Sequence, residues 1–138
     1  KAPRLKAIAR RLTADFGRVT LDPLREMTDE DAEEYLTSLP GVGVKSAKCV
    51  LMYALGREVL PVDTHVWRVA RRLGLLPEDL PYDRVHDALE EAVAPTDRYA
   101  IHVNAIVHGR RVCLPLRPRC QVCPLRRTCR FPGAHIPT

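Results

Sequence analysis

Four of the five cysteines fall within the last 26 residues, as Cys113, Cys120, Cys123 and Cys129, in the run CLPLRPRCQVCPLRRTC. The spacing is C-x6-C-x2-C-x5-C. Cys120 and Cys123 stand close enough to act as a pair of ligands, and the segment has little apolar material of its own beyond Leu114, Leu116, Val122 and Leu125. Four thiolates on one metal centre would supply the missing core. Two disulfides are the alternative, disfavoured because no stretch has the pattern of a secretion signal. Zinc and an iron–sulfur cluster both accept four cysteines, so donor chemistry leaves that choice open. The fifth, Cys49, stands alone upstream and reads as a small core residue.

A second candidate is the stretch LPGVGVKSA, residues 39–47. Gly41 and Gly43 let the backbone bend and keep side chains away from a closely approaching partner. The amides of Gly41, Val42, Gly43 and Val44 then lie at the start of a helix, where unsatisfied N–H groups and the helix dipole bind an anion, most simply a phosphate. An ordinary turn in a helical bundle is the bland alternative. Lys45 occupies the first turn of that helix, a poor place for a cation. A helix N-terminus and a partly dry cleft would both disfavour its ammonium form, favouring a nucleophilic amine. Further along, Asp63 precedes the next helical run and at the least caps it, worth about 1 kcal/mol.

The elements that must position these groups are helical nearly throughout. Residues 3–16 place Leu5, Ile8, Ala9 and Leu12 on one face, and Gly17 ends the run. Thr28 with Asp31 resembles a capping box ahead of a helix that Pro40 and Gly41 stop. A second helix runs from about Lys45 to Leu55 with Ala47, Val50, Leu51 and Ala54 inward. GREVLPVD is an extended connection. The next helix buries Val66, Val69, Ala70 and Leu73, with Trp67 at the edge of the stripe, and further helices are expected near 82–93 and 97–111. Strands, repeats and low-complexity linkers are not expected.

Charge is divided unevenly. Of 22 basic residues and 17 acidic ones, residues 98–138 hold eight arginines and no acid. Arginine without lysine, woven between cysteines and prolines, favours a structured phosphate-binding surface, with Arg126 and Arg127 as leading contacts and the same charge offsetting a thiolate centre. Lys48, one turn beyond Lys45, and His65 are further candidate nucleic-acid contacts. His108 reads as a satisfied helix residue. No apolar run approaches the ~20 residues that cross a bilayer.

LPGVGVKSA resembles the helix–hairpin–helix of the endonuclease III family of DNA glycosylases. GREVLPVDTHVWRVARRLG resembles the Gly/Pro-rich loop and aspartate that follow it, with Gly56, Pro61 and Asp63 at the matching places. The cysteine spacing matches the family's 4Fe–4S ligands, and HGRRVC before it also fits. The three motifs occur in order across roughly residues 28–131. The resemblance implies an all-α helix–hairpin–helix glycosylase fold, an incomplete helical barrel plus an iron–sulfur loop. It implies a helical region over 1–96, holding the hairpin at 28–55 and the aspartate loop at 56–64, then 97–138 with a helix and the Arg-rich cluster loop.

The same resemblance implies base-excision repair by a bifunctional glycosylase and abasic-site lyase, with oxidised pyrimidines as substrates. Lys45 matches the nucleophile that forms a Schiff base, and Asp63 matches the catalytic aspartate. Double-stranded DNA is the implied partner, and 4Fe–4S the implied cofactor, with zinc as the alternative. A non-catalytic DNA-binding fragment, or specificity for mismatched adenine or 5-methylcytosine, are the other readings. Val44 stands where family members often carry arginine. The chain covers the second half of a typical member, so a missing N-terminal half is expected to complete the barrel, and apolar faces are expected to be exposed without it. The implied location is cytoplasm or nucleoid in a prokaryote and nucleus or organelle in a eukaryote.

Overall fold

The computed structural model describes residues 2–134, and every regular element among them is helical. The helices are α1 (Ala2–Phe16), α2 (Asp29–Ser38), α3 (Val44–Leu55), α4 (Thr64–Leu73), α5 (Val85–Ala92) and α6 (Arg98–Arg111), joined by short 3₁₀ turns. Residues 1 and 135–138, which the expected regions included, lie outside the described residues. The chain divides into two compact units after Pro61.

In the first unit α2 packs on α3. Leu24, Ala32, Leu36, Leu39, Ala47, Leu51, Met52 and Val59 form the core, with Ile8 and Phe16 of α1 against it. Burying each large aliphatic side chain there contributes ~1.5–3 kcal/mol. The Thr28 hydroxyl accepts from the Asp31 amide at 3.1 Å, and Asp29, Glu30 and Asp31 complement the helix dipole. Arg57 donates to the carbonyls of Arg25 and Met27, each at 2.9 Å, which fixes the turn leading into α2.

Two faces differ from expectation. Leu5 is 67% exposed, so α1 buries Leu12 rather than the whole expected row. The buried row of α3 is Ala47, Lys48, Leu51 and Met52, while Ala54 is exposed. Val50 of the expected row is partly buried against the core, and Lys48 meets Glu33 of α2 at 3.0 Å.

In the second unit α4 packs on α6, burying Val66, Val69 and Ala70 of the expected stripe, while Leu73 is only half-buried. Gly74 ends α4 in the left-handed region at φ 78°, and the Leu75 amide bonds to the Ala70 carbonyl at 3.0 Å. A side chain at Gly74 would also collide with Arg130. The helix expected from 82 begins at Val85, because Tyr82–Arg84 tightens into a 3₁₀ turn. Trp67 packs edge-on to Tyr82 with Arg71 over its ring, a structural arrangement. An open apolar groove of about 480 Å³ runs along Leu12, Leu36 and Val50 in the first unit, and another of about 520 Å³ along Leu75, Ile101 and Val107 in the second. No helix among the described residues is long and apolar enough to cross a membrane.

Candidate active-site residues and cysteine centre

The hairpin turn of the first unit runs from Leu39 to Gly43. Gly41 has φ 77°, a conformation L side chains rarely adopt. Gly43 has no such requirement, and a Cβ there would meet nothing within 4 Å, so its bare α-carbon faces open space. Being glycine, Gly43 gives α3 no side-chain cap. The first amides of the helix to bond internally are those of Ser46 and Ala47, to the Gly43 carbonyl at 2.9 and 3.0 Å. The amides of Gly43, Val44 and Lys45 donate to nothing else among the described residues. The Lys45 side chain is exposed, and no ion pair among the described residues restrains it.

Two hairpin assignments are corrected. Val42 turns inward: its side chain packs on the core and its amide donates to the Leu39 carbonyl at 3.1 Å, so that donor is committed to the turn. Lys48 is 5% exposed, with its ammonium 3.0 Å from Glu33 Oε2. It is a buried structural cation rather than a surface phosphate contact.

Asp63 opens the second unit and caps α4. Its Oδ1 accepts from the amides of His65 at 2.9 Å and Val66 at 2.8 Å. Oδ2 has no partner among the described residues, so the cap orients the carboxylate and leaves one oxygen for chemistry. His65 is half-buried against Gly109 of α6, and its Nδ1 lies 3.1 Å from Arg68 Nη2.

Cys113, Cys120, Cys123 and Cys129 line one small cavity, with Arg72, His108, Arg119, Arg126 and Phe131 around it. None of the four forms a disulfide among the described residues. Burial, and then the neighbouring Cys123, Cys129 and Cys113, push the Cys120 thiol up, while Arg72 pulls the other way. His108 is lowered by burial, and its Nε2 sits 3.6 Å from Cys123 Sγ. No three His, Cys, Asp or Glu side chains among the described residues approach closely enough for a single metal ion. All four cysteines nonetheless line the same small cavity.

No family model matches the chain. Endonuclease III of Thermotoga maritima is 36% identical over 132 residues, covering 95% of this chain and 57% of its own length. DNA glycosylase/AP lyase ROS1 of Arabidopsis thaliana is 32% identical over 146 residues, covering 94% of this chain and 10% of its own. A solved structure of a trapped endonuclease III–DNA covalent intermediate matches with a TM-score of 0.77 at 30% identity, over 94% of this chain and 56% of that one. The chain is a homologue of the endonuclease III family. It spans little more than half of the endonuclease III it matches and about a tenth of ROS1.

Within this endonuclease III homologue, Gly41, Gly43, Val44 and Lys45 stand together at one helix start, and the four cysteines stand around one cavity. Arg127 is exposed, whereas Arg126 is half-buried on the cysteine cavity. Sequence reading missed Arg68 and Arg72, four residues apart on α4. Arg68 donates to the carbonyls of Cys113 at 2.9 Å and Gly109 at 2.8 Å. Arg72 donates to those of Leu114 and Pro115, each at 2.7 Å. The one available signal was two arginines on a single helix face ahead of a cysteine loop that holds no acid.

Proposed function

We propose that this endonuclease III homologue acts in base-excision DNA repair, as a bifunctional glycosylase and abasic-site lyase on double-stranded DNA. The reading rests on one observation above the others: Lys45 is the exposed, unrestrained amine at the uncapped start of α3, beside amides free to hold a phosphate. The endonuclease III–DNA covalent intermediate of like fold supports a covalent route. The Lys45 amine attacks the sugar carbon bearing the base, the base leaves, and a Schiff base forms. β-Elimination then cuts the strand on the 3′ side. Asp63 offers its free Oδ2 to the positive charge that develops at the sugar and to proton transfer. Oxidised pyrimidines are the proposed substrates. Gly41, Gly43 and Val44 hold the DNA backbone, and Arg127 adds phosphate attraction.

The cysteine centre is proposed to hold a 4Fe–4S cluster through Cys113, Cys120, Cys123 and Cys129. One zinc ion with ~2.3 Å bonds would draw its sulfurs to within roughly 4 Å of one another. The reading is supported by the four cysteines lining one cavity, where Arg72, Arg119 and Arg126 can offset a cluster's negative charge. When bound, the cluster supplies the cross-link that this short apolar-poor loop needs to keep its shape.

Borohydride trapping on abasic-site DNA tests the lyase. Lys45→Gln in the intact protein abolishes the covalent adduct, while Lys6→Gln, on an exposed part of α1, leaves it unchanged. Lys48 is unsuitable as the control because removing it disturbs the core pair with Glu33. An undiminished adduct in Lys45→Gln would eliminate Lys45 as the nucleophile.

A further inference from the structure

Arg72 touches both ends of the cysteine loop. Its Nη1 donates to Cys113 Sγ at 3.3 Å and to the Leu114 carbonyl at 2.7 Å, and its Nη2 to the Pro115 carbonyl at 2.7 Å. Its own carbonyl accepts from the Arg130 amide at 3.1 Å and from Cys129 Sγ at 3.2 Å. The guanidinium also lies 4.5 Å from the centre of the Phe131 ring. One residue of α4 therefore grips the first and the last cysteine at once. A half-buried guanidinium calls for an opposing charge. Arg72 makes no ion pair among the described residues, and residues 98–138 contain no acid. The Cys113 sulfur, 3.3 Å from Nη1, is the group at its fork able to carry that charge as a metal ligand.

We propose that Arg72 is a positioning residue for the cysteine centre: it closes the loop by holding Cys113 and Cys129, and its bond to Cys113 Sγ raises the centre's reduction potential. The proposal rests on the 4Fe–4S reading. A charged donor favours the state carrying more negative charge on sulfur, which is the reduced one. It also fixes the ligand's orientation, as partners behind a metal ligand do.

The test compares wild-type protein, Arg72→Gln and Arg72→Lys in the intact chain after anaerobic reconstitution with iron and sulfide. Iron release to a chelator and the one-electron midpoint potential at an electrode are read, with far-ultraviolet circular dichroism to follow folding. Arg72→Gln is expected to release iron about tenfold faster. Its potential is expected to fall by about 59 mV, a tenfold change in the ratio of reduced to oxidised cluster. Arg72→Lys keeps the charge but has no fork to span Cys113 Sγ and two carbonyls. It recovers part of the potential and still releases iron faster than wild type. If Arg72→Gln does not fold, these two shifts in Arg72→Lys decide the matter. Wild-type release and wild-type potential in whichever variants fold would overturn the role of Arg72 while leaving the cluster intact. Wild-type protein that takes up zinc but no iron–sulfur cluster would overturn the cluster reading itself, and Arg72's role with it.

Discussion

Asp63→Asn separates the two jobs of Asp63. As a cap, Oδ1 accepts two amides, at 2.9 and 2.8 Å. Alanine loses both, at a cost of about 1–2 kcal/mol. Asparagine keeps an acceptor oxygen and loses only the attraction between the carboxylate and the helix dipole, ~0.3–1 kcal/mol. The chemistry has the opposite sensitivity, because it needs the negative charge at Oδ2. Loss of a general base or electrostatic stabiliser costs roughly 100- to 10,000-fold in rate, on the order of 3–5 kcal/mol of barrier. Asp63→Asn should therefore unfold in urea with less than about 1 kcal/mol of lost stability and release base at least ~100-fold more slowly in single-turnover assays. Asp63→Ala should be equally inactive and measurably less stable. Base release by Asp63→Asn within a few-fold of wild type would reduce Asp63 to a cap. Equal destabilisation by the two substitutions would refute the capping argument.

Lys48→Met should cost about 2–3 kcal/mol by urea denaturation, because it strands Glu33, whose side chain is only 25% exposed. Adding Glu33→Gln should recover part of that loss, and strict additivity of the two changes would show the pair to be unimportant. Tyr35 and Asp15 share a hydrogen bond of 2.8 Å. That bond, and then the one from Arg11, lowers the Asp15 carboxyl, so the pair stabilises the fold above the ordinary carboxylate pKa and loses the contribution as pH falls through the lowered value. Burial, and then Asp15, push Tyr35 up to about 12, so stability also falls as pH rises from the ordinary tyrosine value towards it. Tyr35→Phe should raise the Asp15 pKa measured by NMR titration, and an unchanged value would show that the phenol does not set it.

The features legible in the sequence are those whose partners lie within a few residues. Thr28 caps Asp31, Asp63 caps Val66, and Gly41 turns the chain where Pro40 has already stopped the helix, because capping and turn bonds span three or four positions. The cysteine spacing is local in the same sense and pointed to one shared centre. Tertiary structure decided the rest. On α3 Lys48 is buried against Glu33 of α2 while Ala54 is exposed, a pairing across helices that the helix's own periodicity does not carry. Arg72 became the clasp of the cysteine loop through partners 41 and 57 residues away, a separation that no local periodicity records. A helical residue's chemistry can be read from its type and neighbours; whether that chemistry faces solvent, an acid or a thiolate depends on which distant segment packs against its face.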